Sequence, residues 1–172
     1  MPPAPLIRTA RLVLRELDDG DAGFVLELLN QPDFLRYIGD RGVRDLEQAR
    51  AYLRNGPIDS YARHGHGLYA VETHDGGPIG LCGLLQRTEL PAPDLGIAFL
   101  PACYGKGYAA EAASAVLRHA REAQGIGRVL AIVAPDNARC IALLRRLGMR
   151  EAGTVRIGNE GIDLLLFEAG ES

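Results

Sequence analysis

A short glycine-bearing segment is the part of this sequence best suited to ligand chemistry. Tyr104-Gly-Lys-Gly-Tyr-Ala109 precedes a run of alanines at helical spacing. Glycines let the backbone approach a ligand closely and turn its amides inward, and a helix start adds unpaired N–H groups and about half a positive charge. The segment therefore predicts an anion site suited to a pyrophosphate. The same glycines would also serve a simple strand-to-helix turn.

Two other phosphate-binding motifs fit this segment less well. A Walker loop requires Gly-x-x-x-x-Gly-Lys-Ser/Thr, but Leu100 stands at the first glycine position and a glycine follows the lysine. Gly105-x-Gly107-x-x-Ala110 formally satisfies the dinucleotide fingerprint. That fingerprint normally follows its strand at once, with an acidic residue about 20 positions beyond it, and the next strand-like run, Arg128–Val133, contains none. The Walker reading is excluded, and the Rossmann reading is left as an alternative.

Composition limits the function classes. The 172 residues, 47% of them hydrophobic, predict a single domain spanning 1–172. With 19 basic and 22 acidic residues the net charge is −3, which argues against a nucleic-acid partner, because such proteins need a clustered basic face. Since no run approaches the ~18 apolar residues of a membrane span, we predict no membrane partner and a soluble, cytoplasmic protein.

The residues that commonly bind metals do not form a recognisable site. Cys82, Cys103 and Cys140 are scattered and include no Cys-x-x-Cys pair, so neither a disulfide framework nor a cysteine zinc site is predicted, and a reducing compartment fits best. His64 and His66 lie two residues apart with no third ligand in view. We therefore predict no metal cofactor.

Hydrophobic periodicity indicates the elements that must position the glycine segment. The first half reads as a strand, two helices and three strands. The first strand is Arg11–Arg15. One helix follows Asp18–Asp21 and a second begins at Asp45, and we expect Gly56-Pro57 to break or end the second helix. The later strands are Leu68–Glu72, Ile79–Leu85 and Asp94–Leu100, with a turn at His74–Gly77. In the second helix we expect Asp45 to cap and Gln48 to reach back to it. The Pro-rich first five residues and Leu90–Pro93 look like loops.

The second half contains the clearest helix. Ala109, Ala112, Ala113, Val116, Leu117 and Ala120 define its apolar face. Then follow a strand at Arg128–Val133, a helix at Asn137–Leu147 closed by Gly148, and strands near Met149–Ile157 and Ile162–Phe167 around a turn at Gly158–Gly161. The predicted fold class is a mixed α/β (α+β) domain with a largely antiparallel sheet.

With its elements in this order, the chain resembles the GNAT superfamily of N-acetyltransferases. Their signature, Gln/Arg-x-x-Gly-x-Gly/Ala, is matched by Tyr104–Ala109, although Tyr104 stands where many members have Gln or Arg. Within the superfamily, the chain is most similar to the branch that acetylates ribosomal-protein N-termini. The shared segments are Thr9–Arg15, Leu29–Asp33, Glu47–Ala51, Ile79–Leu84, Asp94–Ala98, Tyr104–Ala112, Asp136-Asn137 and Leu147-Gly148.

The resemblance implies a fold, a co-substrate and a reaction. The fold would be a mostly antiparallel sheet, flanked by helices and splayed between its fourth and fifth strands, Asp94–Leu100 and Arg128–Val133. Acetyl-coenzyme A would lie in that gap and pass its acetyl group to a primary amine, on a protein N-terminus or a small molecule, by direct attack in a ternary complex. The protein would be a monomer or homodimer. A non-catalytic acyl-coenzyme A-binding module is the alternative.

The resemblance also implies particular site residues. Cofactor-binding residues would be Phe99, Leu100, Tyr104, Gly105, Lys106, Gly107, Tyr108, Ala109 and Asn137. Cys140 falls where the branch often has a serine that protonates the leaving thiolate, which makes it the candidate catalytic acid. Leu144 replaces a tyrosine that does this in many other members. Asn137 is also an ordinary helix cap by residue type.

Two further expectations concern the acceptor side. The resemblance places Asp33–Tyr37 and the region around Pro57 at the rim of the acceptor pocket. Glu89 and Asp94 flank the loop that enters the splayed strand, and a water held by either would serve as a base. We expect both to be solvated loop carboxylates and assign neither as the base.

Overall fold

An eight-stranded sheet organises the protein. The computed structural model describes residues 3–158 and 162–169. The strands, in chain order, are β1 (Pro5–Arg8), β2 (Leu12–Glu16), β3 (Leu68–Thr73), β4 (Pro78–Leu85), β5 (Asp94–Phe99), β6 (Val129–Val133), β7 (Arg150–Arg156) and β8 (Asp163–Ala169). Their order across the sheet is β1-β2-β3-β4-β5-β6-β8-β7, and all neighbours are antiparallel except β5 and β6. The predicted mixed, mostly antiparallel sheet is confirmed.

Helices cover both faces of the sheet. They are α1 (Ala22–Leu29), α2 (Pro32–Tyr37), α3 (Leu46–Leu53), α4 (Asp59–His64), α5 (Tyr108–Ala123) and α6 (Ala138–Arg146). Helices α1 and α3 contribute to one hydrophobic cluster, whereas α5 and α6 contribute to another. Within residues 3–158 and 162–169, no helix combines the length and hydrophobicity that crossing a bilayer requires.

The two clusters use alternate residues of the same strands. In β3, Tyr69 and Val71 belong to the α5 cluster, while Leu68 and Ala70 belong to the α1–α3 cluster. This follows from the two-residue period of a strand, whose successive side chains point to opposite faces. The apolar face of α5 is largely alanine and includes the fully buried Ala112 and Ala113. Such small side chains let the helix, and the glycine segment before it, lie close to the sheet.

The N-terminal strand was not predicted. Residues 5–8 form β1 and pair antiparallel with β2, with Pro5 opposite Arg15. Pro5 is tolerated because it is the first residue of an edge strand, where a missing backbone donor costs little. The expectation of a loop is therefore wrong for Pro5. Because β1 adds one strand to the count, the predicted fourth and fifth strands are β5 and β6 of the structure.

Gly56-Pro57 interrupts the regular α-helix, as expected, but it does not end the helical segment. A π-helical turn, Arg54–Ile58, joins α3 directly to α4, and Pro57 lies buried inside it. A π turn shifts the backbone pairing by one residue, which accommodates a proline that has no N–H to donate. The helix finally ends at Gly65, which has a left-handed backbone (φ 74°).

Helix-end chemistry was predicted more accurately. Asp45 accepts a hydrogen bond from the Gln48 amide at 2.8 Å and caps α3 as expected, but the Gln48 side chain accepts from the Arg44 amide at 2.7 Å instead of reaching Asp45. At the end of α6, the Met149 amide donates to the Leu144 carbonyl and the Gly148 amide to the Arg145 carbonyl, both at 3.0 Å. This is the glycine-ended cap predicted from the sequence.

Strands β5 and β6 diverge after a single point of contact. Asp94 pairs with Leu130 in parallel register, and the Leu130 amide donates to the Pro93 carbonyl at 2.8 Å. Among the described residues, β5 and β6 form no other paired position. The predicted splay is confirmed. The predicted turn at 158–161 falls largely on residues 159–161, which lie outside the described residues, although β7 and β8 on either side pair antiparallel.

Candidate active site

The glycine segment follows β5 and starts α5. A short 3₁₀ turn, Pro101–Cys103, leads into it, and Gly107 is the residue that precedes the first helical turn. Gly105 (φ 76°) and Gly107 (φ 81°) both have left-handed backbones, a conformation that other L-residues adopt only with strain. The two glycines are therefore required by the shape of the segment.

The amides of this segment are free to bind a ligand. Among the described residues, no acceptor takes a hydrogen bond from the amides of residues 105–110, and the next amide, that of Glu111, donates to the Gly107 carbonyl at 3.1 Å. The helix begins here, so its positive dipole end lies at the same place. A row of unused N–H groups at a helix N-terminus fits the diphosphate of a coenzyme A thioester. Lys106, exposed in the middle of the row, is the single lysine of the sequence.

The open edge of β5 lies directly before the glycine segment. The Leu100 amide donates to the Ile79 carbonyl at 2.9 Å, and its carbonyl accepts from Cys103 at 2.9 Å, so both backbone groups of Leu100 have partners. In an antiparallel strand, alternate residues direct their backbone groups to opposite neighbours. Phe99, opposite Gly80 in the register, therefore directs its N–H and C=O away from β4 and towards the gap. Of the two residues predicted here, Phe99 has the free backbone groups.

Asn137 and Cys140 lie at the start of α6, on the far side of the gap. The Asn137 side-chain oxygen accepts from the Cys140 amide at 3.2 Å and caps the helix. The Cys140 side chain is partly buried against the α5 cluster, and burial raises the pKa of the Cys140 thiol to about 11. Leu144, one turn further on, is buried in the core. At neutral pH Cys140 is therefore a protonated thiol that can donate a hydrogen bond.

Helix α2 bridges the two sides of the gap. Arg139 of α6 lies over the Tyr104 ring at 4.2 Å from its centroid and forms an ion pair with Asp33 at 3.7 Å. Arg36 pairs with Asp136, just before α6, at 3.3 Å. The pKa of Tyr104 is raised, mainly because the side chain is partly buried and to a smaller extent because the negative charge of Asp33 is nearby. Residues 33–37 are thus placed beside Tyr104 and the start of α6.

One of the two carboxylates near the start of β5 differs from expectation. Glu89 is exposed as predicted, but Asp94 is only 1% exposed and pairs with Arg87 at 3.1 Å. Burial raises the pKa of Asp94, and the Arg87 charge opposes that rise. The expectation of a solvated loop carboxylate is wrong for Asp94, because the register places it at the one point where β5 and β6 pair.

A surface pocket of about 400 Å³ lies on the α1–α3 side of the sheet. Its lining residues are Arg41, Gly42, Val43, Gln48, Ala51, Tyr52, Asn55 and Gly56. Burial raises the pKa of Tyr52, and the charges of Arg41 and Arg87 oppose the rise. Arg87 thus lies within electrostatic reach of the pocket and contacts Asp94 of β5. Asn55 and Gly56, next to Pro57, line this pocket, whereas residues 33–37 do not.

Arg11 is a site contact that the sequence reasoning missed. Its guanidinium donates to the carbonyl of Lys106 at 2.8 Å and to Glu111 at 2.7 Å. Arg11 lies in Thr9–Arg15, one of the segments shared with the family, but the resemblance implies no role for it. The histidine pair lies away from this contact: His66 is buried with its ring nitrogen 3.2 Å from the Leu84 carbonyl, and the exposed His64 stacks against it with 5.9 Å between the ring centroids.

Comparison with known proteins decides the family. Residues 11–150 match the family model described as an acetyltransferase (GNAT) domain. The chain belongs to the GNAT acetyltransferase family. As a GNAT protein it is an acyltransferase, and its co-substrate is an acyl-coenzyme A thioester that supplies the acetyl group.

Several acetyltransferases resemble the chain over nearly its whole length. It is 27% identical to the uncharacterized N-acetyltransferase YoaA of Bacillus subtilis (strain 168), over 88% of this chain and 86% of that protein. The acetyltransferase from Agrobacterium tumefaciens str. C58 superposes with a TM-score of 0.82 at 25% identity, covering 98% of this chain and 95% of that one. RimL, the ribosomal L7/L12 α-N-protein acetyltransferase solved with coenzyme A, shares the fold at 16% identity, with a TM-score of 0.82 over 95% and 96% of the two chains.

Proposed function

We propose that this protein transfers the acetyl group of acetyl-coenzyme A to a primary amine by direct attack in a ternary complex. The observation that carries the proposal is the continuity of two binding surfaces. The free amides of residues 105–110 suit the diphosphate, and the open backbone edge at Phe99 lies immediately before them. A pantetheine arm extending from that diphosphate would run along the edge of β5 as an added strand does. The remaining predicted contacts, including Tyr104, Tyr108 and Ala109, belong to the same proposal.

The reaction requires three changes that these surfaces support. The amine nitrogen attacks the thioester carbonyl carbon, negative charge develops on its oxygen, and the carbon–sulfur bond then breaks. The Phe99 N–H points into the gap and is proposed to donate to that oxygen as the charge develops. The departing thiolate accepts a hydrogen bond from the protonated Cys140 thiol and takes up the proton that the amine loses.

The pKa of Cys140 limits how it can act. Burial raises it to about 11, whereas an ordinary thiol titrates near 8.5. Full proton transfer from Cys140 to a departing thiolate of ordinary pKa would therefore be energetically uphill. We therefore propose that Cys140 stabilises the thiolate by hydrogen bonding while the proton from the amine completes the reaction.

An α-amine is the acceptor whose deprotonation demands least of a catalytic base at this site. Deprotonating an α-amine at pH 7 costs about 1 kcal/mol, whereas a lysine side chain costs about 4.6 kcal/mol. The buried carboxylate of β5, Asp94, is already paired with Arg87. A protein N-terminus or a small molecule with an α-amine would react without a strong base, and this favours such acceptors over alkyl amines of high pKa.

The pocket on the α1–α3 side is the proposed entry for the acceptor. Tyr52, in its lining, belongs to the same hydrophobic cluster as Ala98 and Leu100 of the β5 segment. The gap between β5 and β6 interrupts the sheet, so a thioester inside it would be accessible from the face opposite α5. The amine and the thioester would thus approach the reaction centre from opposite faces.

An acetyl-transfer assay tests the proposal. The protein is incubated with acetyl-coenzyme A and a panel of amines, comprising peptides with free α-amines, amino acids and polyamines, and thiol release is measured. We expect turnover with at least one α-amine and none with the same peptides N-acetylated in advance. Coenzyme A binding by calorimetry without turnover on any amine would support the binding-only module and contradict the proposal.

Lys106 allows the diphosphate site to be tested without turnover. Because it is the single lysine of the sequence, an amine-reactive reagent labels Lys106 and the chain's α-amine alone. Saturating coenzyme A should slow labelling of Lys106 and leave labelling of the α-amine unchanged, as measured by peptide mass spectrometry. Equal labelling rates at Lys106 with and without bound coenzyme A would place the diphosphate elsewhere.

A further inference from the structure

The turn between β1 and β2 is tied to the glycine segment by a set of charged contacts. Arg11, in that turn, donates from Nη1 to the Lys106 carbonyl at 2.8 Å and from Nε to Glu111 at 2.7 Å. Its guanidinium carbon also lies 4.6 Å from the centroid of the Tyr108 ring. One side chain therefore contacts the segment, its flanking aromatic residue and the first turn of α5.

Glu111 holds this arginine in place. Its carboxylate accepts from the Thr9 hydroxyl at 2.5 Å, from the Arg11 amide at 2.9 Å and from the Arg11 Nε. Partial burial alone would raise the pKa of Glu111, but the hydrogen bonds from Thr9 and Arg11 outweigh it and lower the pKa. Thr9 and Arg11 are about 100 positions from Glu111 in sequence, so these contacts exist only in the folded protein.

From these contacts we infer that Arg11 is a positioning residue for the diphosphate-binding segment. In a trans peptide the carbonyl oxygen and the following N–H point in opposite directions. When Arg11 holds the Lys106 carbonyl towards β2, the Gly107 N–H is directed away from β2, to the side open to a ligand. Gly107 supplies the N–H of this peptide and Gly105 precedes it by one residue, and without an anchor glycines allow many backbone orientations.

The remaining amino group of Arg11 adds charge at the same point. Nη2 makes no hydrogen bond to the described residues and would lie 3.2 Å from a Cβ added at Gly107. A guanidinium beside the Gly107 amide raises the positive potential where the diphosphate binds. Arg11 thus fixes the orientation of one amide and supplements its charge, and it acts without touching the acetyl group.

The test compares two thioesters that differ in the diphosphate. This inference rests on the proposed acetyl-coenzyme A site, and S-acetyl-pantetheine has the same reactive end but lacks the diphosphate. We expect Arg11→Met to raise the KM for acetyl-coenzyme A by about tenfold or more while kcat changes by less than about twofold. With S-acetyl-pantetheine the kcat/KM of the variant should stay within about twofold of the wild type.

Two further variants isolate the cause. Arg11→Lys keeps the charge but loses the fork that reaches Lys106 and Glu111 together, so its KM should lie between those of the wild type and Arg11→Met. Arg118→Met removes the same charge from an exposed position on α5 that forms no ion pair with the described residues. Its KM for acetyl-coenzyme A should match the wild type.

The outcomes separate this inference from the proposed function. Equal losses of kcat/KM with both thioesters, or an unchanged KM for acetyl-coenzyme A in Arg11→Met, would overturn it. Calorimetry with coenzyme A provides a second readout that needs no amine, and Arg11→Met should weaken binding by the same factor as it raises KM. If the wild type binds coenzyme A but acetylates no amine, the proposed function fails while the binding comparison still decides the role of Arg11. Should Arg11→Met fold poorly, as shown by its Tm, Arg11→Lys carries the comparison.

Discussion

At the scale of single residues, the chemistry of the site depends on which groups keep their protons. Cys140 has a raised pKa of about 11 because it is partly buried. It is therefore a poor nucleophile and a constant hydrogen-bond donor at neutral pH. Leu144, which the family resemblance aligns with a tyrosine of many other members, is buried and has no hydroxyl. The proposed assistance to the departing sulfur is therefore assigned to the Cys140 thiol and not to position 144.

Substitutions of Cys140 test this role. Cys140→Ala should lower kcat more than it weakens coenzyme A binding, because the donor acts on charge that develops as the carbon–sulfur bond breaks. Cys140→Ser, the matched control, retains a donor of similar size and should keep kcat near or above the wild-type value. Steady-state kinetics with acetyl-coenzyme A and calorimetry with coenzyme A provide the two measurements. An identical kcat for the wild type and Cys140→Ala would remove Cys140 from the mechanism.

At the scale of elements, the divergence of β5 from β6 creates the gap in which we propose that acetyl-coenzyme A binds. The two strands share one paired position, Asp94 with Leu130, and the backbone of β5 is open from there towards Phe99. An exposed strand edge binds further chain readily, because its N–H and C=O groups are already aligned. Here the glycine segment and α5 follow at the open end, so a ligand held by the segment lies beside the edge.

Amide hydrogen exchange distinguishes the two residues at the end of β5. The Phe99 amide faces the gap, while the Leu100 amide is bonded to the Ile79 carbonyl at 2.9 Å. Saturating acetyl-coenzyme A should slow exchange at Phe99 by about tenfold or more, and Leu100, its built-in control, should change much less. Exchange measured by NMR at residue resolution makes the comparison. Equal protection of both amides would indicate general stabilisation with no added pairing at the edge.

At the scale of the whole molecule, charged side chains connect parts that the chain order separates. Arg15 forms a bidentate pair with Asp21, at 2.8 and 2.9 Å, and also contacts Glu72, so that β2, the start of α1 and β3 are joined in a buried network. The contacts of Glu111 with Thr9 and Arg11 similarly join α5 to the turn between β1 and β2. The second connection couples the stability of the fold to pH.

The sign of that coupling follows from the lowered pKa of Glu111. A carboxyl group whose pKa is lower in the folded state stabilises the fold at pH values above its unfolded pKa, and the contribution is lost as the pH falls through the folded pKa. Glu111→Gln should therefore be less stable than the wild type at pH 7, and the difference should shrink as the pH falls below the ordinary value of 4.5. Urea unfolding at pH 7, 5, 4 and 3 measures this.

Glu122→Gln is the control for this experiment. Glu122 lies exposed on the same helix and forms no ion pair with the described residues, so its urea midpoint at pH 7 should equal that of the wild type. A stability difference between Glu111→Gln and the wild type that stays constant from pH 7 to pH 3 would contradict the assigned role of the Glu111 charge.

The sequence by itself determined those features that are set by neighbouring residues. The alternation of β3, the alanine face of α5, the cap at Asp45 and the glycine-ended cap at Gly148 all follow from local backbone and side-chain preferences. The glycine segment was recognisable for the same reason, since only glycine adopts the left-handed backbone without strain. The family resemblance then identified the gap between β5 and β6, which no local pattern indicates.

Tertiary structure alone decided the features that depend on partners far along the chain. Pro57 lies within a continuous helical segment because a π turn accommodates it. Asp94 is buried because β5 and β6 pair there, and the Leu100 amide is not free because it donates to the Ile79 carbonyl. The contact of Arg11 with Lys106 spans 95 positions of sequence. Burial, hydrogen-bond partners and pKa are set by whichever groups the fold brings together, and a sequence pattern records only the residues that are adjacent or one turn apart.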